Sequence, residues 1–139
     1  MKMLEREFRR RFDAAFGPMI DDEFPSKIAG ASHPNADGTS RVAILEKCKL
    51  FEVFDLTPEP ENPVDPKAVM ILRNDTGEQV GYLPERTAHD LLPQMGEPGF
   101  RWFAVLHQFN ISPETQALVG ANIIVARMVL NRAAGPAAE

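Results

Sequence analysis

The chain has 139 residues, of which 44% are hydrophobic and 25% charged. These are the proportions of an ordinary soluble protein, and the length suits one domain with a real core. A net charge of −5 argues against a protein that holds nucleic acid chiefly through its phosphates, where a basic surface is expected. The longest apolar run, near Ile123-Ile124-Val125-Ala126, is too short to cross a bilayer. The basic N-terminus is followed by no apolar signal segment, so no membrane partner is expected. A single cysteine, Cys48, forbids an internal disulfide and suits a cytoplasmic location.

Residues 1–25 read as an amphipathic helix and an acidic linker. Leu4, Phe8, Phe12 and Phe16 recur every fourth residue, with Lys2, Arg6, Arg9 and Arg10 on the opposite face. Gly17-Pro18 ends the helix. Its apolar stripe suits core cover or a homodimer seam. A membrane-surface, partner-binding or DNA-contacting helix is the alternative. Asp21, Asp22 and Glu23 mark the linker, and residues 17–66 carry ten acidic side chains against four basic ones.

Residues 26–132 form the main domain. A first strand is expected from Lys27 to Ala31. A helix then starts near Arg41, capped by Thr39 or Ser40 and burying Val42, Ile44, Leu45 and Cys48. Leu50 to Leu56 alternates in the manner of a strand. Val69–Arg73 and Gln79–Leu83 pair as a hairpin across Asn74–Glu78. A helix runs from Glu85 to Met95, burying Ala88, Leu91 and Leu92. Phe100–Ile111 and Ala117–Leu130 are long strands around a turn at Ser112-Pro113-Glu114-Thr115. Residues 133–139, rich in Ala, Gly and Pro, read as a disordered tail. The fold class is mainly β, with some helix.

The segment Glu59-Pro60-Glu61-Asn62-Pro63-Val64-Asp65-Pro66-Lys67-Ala68-Val69 is the most informative stretch. Its prolines stiffen it, and Asn62 and Asp65, three residues apart, are natural turn formers. Two readings are open on the residues alone. The pair simply caps a turn while Tyr82, the only tyrosine, fills the sheet. Alternatively, the pair forms a polar pocket matched to a hydroxyl, with Tyr82 as a stacking ring.

The order of Ile28-Ala29-Gly30-Ala31-Ser32-His33, the Asn62/Asp65 loop and Val80-Gly81-Tyr82-Leu83 resembles the HIRAN domain over roughly residues 26–130. That family occurs fused to helicase-like remodellers and as free-standing bacterial proteins. The resemblance implies a small OB-like six-stranded β-barrel with two flanking helices. It implies binding of single-stranded DNA at a free 3′ end, in the setting of DNA repair, with Asn62 and Asp65 on the terminal 3′-hydroxyl. Tyr82 would lie near a phosphate or base, with Ser32 and His33 at positions where family members place a basic and an aromatic residue. Val64 stands where an aromatic residue is common, and Arg41 or Arg86 is a candidate source of the missing charge. A helicase or nuclease is the natural protein partner. The alternative is an interaction or structural domain that kept the fold, lost the DNA site and works through its Phe stripe.

Enzymatic signals are lacking. His33, His89 and His107 fall on three separate elements, and no zinc spacing such as C-x-x-C or H-E-x-x-H occurs. No nucleophile elbow or phosphate loop is present. Neither a catalytic residue, nor a metal site, nor a cofactor is expected. His107 reads as a strand residue and His89 as an exposed helix residue.

Overall fold

The computed structural model describes residues 5–130. Helix α1 (Glu5–Phe16) runs through a short 3-10 turn into strand β1 (Ile20–Lys27). Helix α2 (Arg41–Glu46), β2 (Val53–Pro58), β3 (Val69–Arg73) and β4 (Gln79–Tyr82) follow, then α3 (Glu85–Met95), β5 (Phe100–Ile111) and β6 (Leu118–Val129). The six strands form one antiparallel sheet in the order β1-β6-β5-β2-β3-β4. The expected mainly β class with flanking helices is observed. The barrel is not closed by a continuous ladder. Among the described residues, the two ends of the sheet meet through a single residue pair, Ala29 with Tyr82.

Strands β5 and β6 explain why the protein has two apolar cores. Trp102, Ala104 and Leu106 of β5, with Ala121, Ile123 and Val125 of β6, face the main core with α2, α3 and β2–β4. Their alternate neighbours Phe103, Val105, Ile124 and Ala126 face the other way, onto Phe8 and Phe12 of α1. Successive strand residues point to opposite faces, so a continuous apolar run such as Trp102–Leu106 requires cover on both sides. Helix α1 supplies it. Its apolar stripe, expected to cover core or form a dimer seam, is occupied within the chain. The stripe's first residue, Leu4, lies outside the described residues.

Two corrections concern strand boundaries. The first strand is not Lys27–Ala31 but Ile20–Lys27, mostly within the stretch read as an acidic linker. It is an edge strand with one neighbour, β6, and it contributes Ile20 and Phe24 to the cores, too few to show as an alternating apolar run. Its charges are used across strands and to α1: Arg127 donates to Asp21 at 2.8 and 3.0 Å, and Arg9 donates to Glu23 at 2.9 Å. β1 therefore belongs to the same sheet as the other strands, and α1 packs on that sheet. The second strand begins at Val53 rather than Leu50 because Phe51 has φ 76°, a left-handed conformation costly for an aromatic residue. Stacking on Phe8, with ring centroids 5.2 Å apart, and a 2.8 Å hydrogen bond from its N–H to the Leu106 carbonyl hold it there.

The remaining expectations follow local chemistry. Ser40 caps α2 by accepting from the Ala43 N–H at 3.1 Å. The β3–β4 hairpin and α3 occupy the expected residues. The expected disordered tail, residues 133–139, lies outside the described residues. Among the described residues, no helix is long and apolar enough to cross a membrane.

Candidate functional site

The loop between β2 and β3 is built by its own side chains. The Asn62 Oδ1 accepts from the N–H groups of Val64 at 2.8 Å and Asp65 at 2.9 Å. Asp65 Oδ1 accepts from the Lys67 N–H at 2.9 Å. Backbone bonds from Asn62 to Glu59 at 3.0 Å and from Glu59 to Ala68 at 2.9 Å close the base of the loop. The turn-capping reading of this motif is therefore correct as far as it goes. It leaves the remaining polar atoms of the loop directed at neighbouring elements.

Those atoms form two small networks. In the first, the Asn62 amide donates to Glu59 Oε1 at 2.8 Å and to the Tyr82 hydroxyl at 3.3 Å. The Tyr82 hydroxyl donates to the same Glu59 oxygen at 2.7 Å. In the second, His89 Nε2 lies 3.1 and 2.9 Å from the two oxygens of Asp65. The His89 contact, followed by the Lys67 N–H, holds the Asp65 carboxyl below its ordinary pKa. Asp65 is thus ionised near neutral pH and acts as an acceptor.

Tyr82 is mounted from behind by Arg41, whose guanidinium lies 5.1 Å from the ring centroid, within cation–π range. Arg41 is only 8% exposed. Its Nε donates to Asn35 Oδ1 at 2.7 Å and its Nη1 to the Gly30 carbonyl at 2.9 Å, both neutral acceptors. Gly30 has φ +73°, and a Cβ there would lie 3.2 Å from Arg41 Nη1. A glycine at that turn both permits the left-handed backbone and leaves room for the arginine.

These groups surround one open cavity of about 610 Å³. Asn62, Asp65, Tyr82 and His33 all line it, so four of the five residues singled out from the sequence converge. Ser32 is exposed and is not among the lining residues. Val64, at 91% exposure, forms part of the rim. Arg41, mentioned from the sequence only as a source of charge, is a wall of the cavity, as is Glu85 at the start of α3. His89 is half-buried against Asp65, not the free helix residue expected. The i, i+4 spacing of Glu85 and His89, which puts both on one helix face, was the available signal for this cluster.

The sequence profile of the HIRAN domain matches residues 29–117. This chain belongs to the HIRAN domain family. The fold of the HIRAN domain of human HLTF is similar, with a TM-score of 0.57 at 16% identity over 81% of this chain and 79% of that one. A protein from Lactobacillus plantarum of known crystal structure also has a TM-score of 0.57, at 15% identity, over 78% of this chain and 99% of the other. At these identities the likeness is one of fold. Comparison with curated proteins finds no match. The HIRAN match begins at Ala29, so α1 and β1 precede it. Asn62, Asp65, Tyr82 and Arg41 all lie within the matched span.

Proposed function

We propose that this HIRAN-domain protein is a non-catalytic module that binds single-stranded DNA at its 3′-hydroxyl end. The observation that carries the reading is the convergence of Asn62, Asp65, Tyr82 and His33 on one cavity. An ionised carboxylate has about four acceptor positions. The Lys67 N–H and His89 engage Asp65 without filling them, so a sugar hydroxyl has an acceptor to meet. Asn62 acts mainly by building the turn that presents Asp65. The Tyr82 ring and the exposed Val64 offer apolar surface to a sugar or base, and Arg41 places positive charge behind the ring. In this reading the module delivers a strand end to a helicase or nuclease.

The same geometry disfavours a phosphorylated end. A 3′-phosphate lacks the hydroxyl and brings negative charge toward Asp65 and Glu85. Fluorescence anisotropy with one labelled oligonucleotide, ending in a 3′-hydroxyl or a 3′-phosphate, tests the reading at fixed salt. The hydroxyl end should bind at least about tenfold more tightly, the equivalent of one hydrogen bond to a charged group. Equal affinities, or no binding of either strand, would overturn it in favour of an interaction module.

A further inference from the structure

We infer that Asp65, Glu85 and His89 form a binding site for one divalent first-row transition-metal cation at the edge of the cavity. One ligand atom from each residue can be chosen so that all three lie within 4.8 Å of one another. Ligands of one such ion lie about 2.0–2.2 Å from it, so two of them are at most about 4.4 Å apart. His89 Nε2 already lies 2.9 Å from Asp65 Oδ2, so the adjustment falls on Glu85, whose side chain is exposed.

The three residues come from two elements that are held in place independently. Glu85 and His89 are one helical turn apart on α3, and α3 is anchored in the main core by Ala88 and Leu91. Asp65 comes from the β2–β3 loop, fixed by the Asn62 and Lys67 bonds already described. His89 Nε2 faces both carboxylate oxygens of Asp65, and the ion would take the place of the shared proton. One imidazole with two carboxylates is a mixed nitrogen and oxygen donor set. The imidazole favours a first-row transition ion over Mg²⁺ or Ca²⁺, which take oxygen ligands, and Mn²⁺ serves as the paramagnetic probe. Three protein donors leave about three positions of an octahedron for water or for oxygens of a ligand.

The cation also answers an electrostatic difficulty in the cavity. Asp65 and Glu85 line it against one arginine, Arg41, which is held behind the Tyr82 ring. A bound divalent ion cancels the two carboxylate charges and takes acceptor positions on Asp65 that a strand-end hydroxyl would otherwise use, so ion and strand end compete for Asp65. This second step rests on the proposed strand-end binding; ion binding itself does not.

The test uses chelator-treated full-length protein titrated with MnCl₂, with free Mn²⁺ followed by electron paramagnetic resonance. One saturable ion per chain is expected. Glu85→Gln and His89→Gln should each weaken it tenfold or more, while Glu61→Gln, in the same loop but outside the trio, should not. Glu85→Gln should melt like the wild type, which separates lost binding from lost folding. No saturable Mn²⁺, or binding unchanged in Glu85→Gln, would overturn the site. A second arm measures single-strand affinity with and without Mn²⁺. A fall that Glu85→Gln abolishes supports the competition. Strand binding indifferent to Mn²⁺, or strengthened by it, overturns the competition while leaving the strand-end reading intact.

Discussion

The backbones of Ala29 and Tyr82 exchange two hydrogen bonds, at 2.7 and 2.9 Å, although 53 positions separate them in the chain. This single pair joins the segment after β1 to the far edge of the sheet, at β4. It also sets Tyr82 over Arg41 and brings Gly30 and His33 to the same cavity as the Asn62 loop. The site is therefore a product of the sheet curling on itself.

That contact makes Gly81 the first position to test. A Cβ there would lie 2.5 Å from Ile28 Cγ2 and 2.6 Å from the Ala29 carbonyl oxygen. The oxygen is backbone and is already engaged, so it cannot turn aside. Gly81→Ala should destabilise the protein by about 1–3 kcal/mol, the usual cost of overpacking, and should weaken strand binding more than substitutions on the outer face do. Denaturant unfolding and anisotropy measure the two effects. An unaltered unfolding midpoint would mean that the pair at Ala29 is dispensable.

Phe12 tests the second core. It is fully buried and packs with Phe103, Val105 and Ile124. Phe12→Ala should cost about 3–5 kcal/mol, as the loss of a large buried aromatic does. A wild-type melt would mean that α1 does not cover the sheet in solution.

Asp65→Asn tests the proposed hydroxyl acceptor while keeping the shape of the side chain. The amide oxygen can still accept from the Lys67 N–H, so the loop should persist. The preference for a 3′-hydroxyl over a 3′-phosphate should disappear, because both the charged acceptor and the repulsion are removed. An undiminished preference, measured by anisotropy, would assign the discrimination to another residue.

Cys48 offers a pH test away from the site. Burial, then nearby Glu52, pushes its thiol up from 9.0 to about 12. The folded protein thus keeps a proton that the unfolded chain sheds above about pH 9. Folded-state stability should be fully present below that pH and fall as pH rises toward about 12. The difference in stability between wild type and Cys48→Ala, followed across this window, isolates the effect from other alkaline titrations. Native Cys48 should also react slowly with thiol reagents near pH 8. Rapid labelling in the native state would show the thiol to be accessible.

Salt dependence tests the charge distribution. With an acidic chain and one arginine in the cavity wall, few phosphates should be neutralised on strand binding. Each contributes a log–log slope of roughly −0.7 for single strands. A slope steeper than about −4 would reveal a basic binding surface elsewhere.

The elements legible in the sequence are those whose signals are local. Ser40 ahead of an apolar helix, the hairpin around Asn74–Glu78, α3 from Glu85 to Met95 and the long strand from Phe100 all rest on residues within one or two turns of each other. The Asn62 and Asp65 turn is of the same kind, because its bonds span two or three residues. The site's composition was partly legible: Asn62 and Asp65 through those local turn signals, Tyr82 as the only tyrosine, and His33 through the HIRAN resemblance. Ser32 was singled out beside His33, but it is not among the residues lining the cavity.

Tertiary structure alone decided what depends on distant partners. β1 is a strand because β6 offers it a ladder, and its acidic side chains gain Arg9 and Arg127; no apolar alternation announces it. His89 meets Asp65 across 24 positions, and Arg41 meets Tyr82 across 41. The Glu85 and His89 spacing marks a helix face but not the Asp65 that meets it, and nothing local marks Tyr82 as the partner of Arg41. Periodicity reports which face of an element is buried, since burial of apolar surface is proportional to area and indifferent to partner. Hydrogen bonds and ion contacts depend on distance and angle between particular atoms, and those are set only when the sheet has curled and Ala29 has met Tyr82.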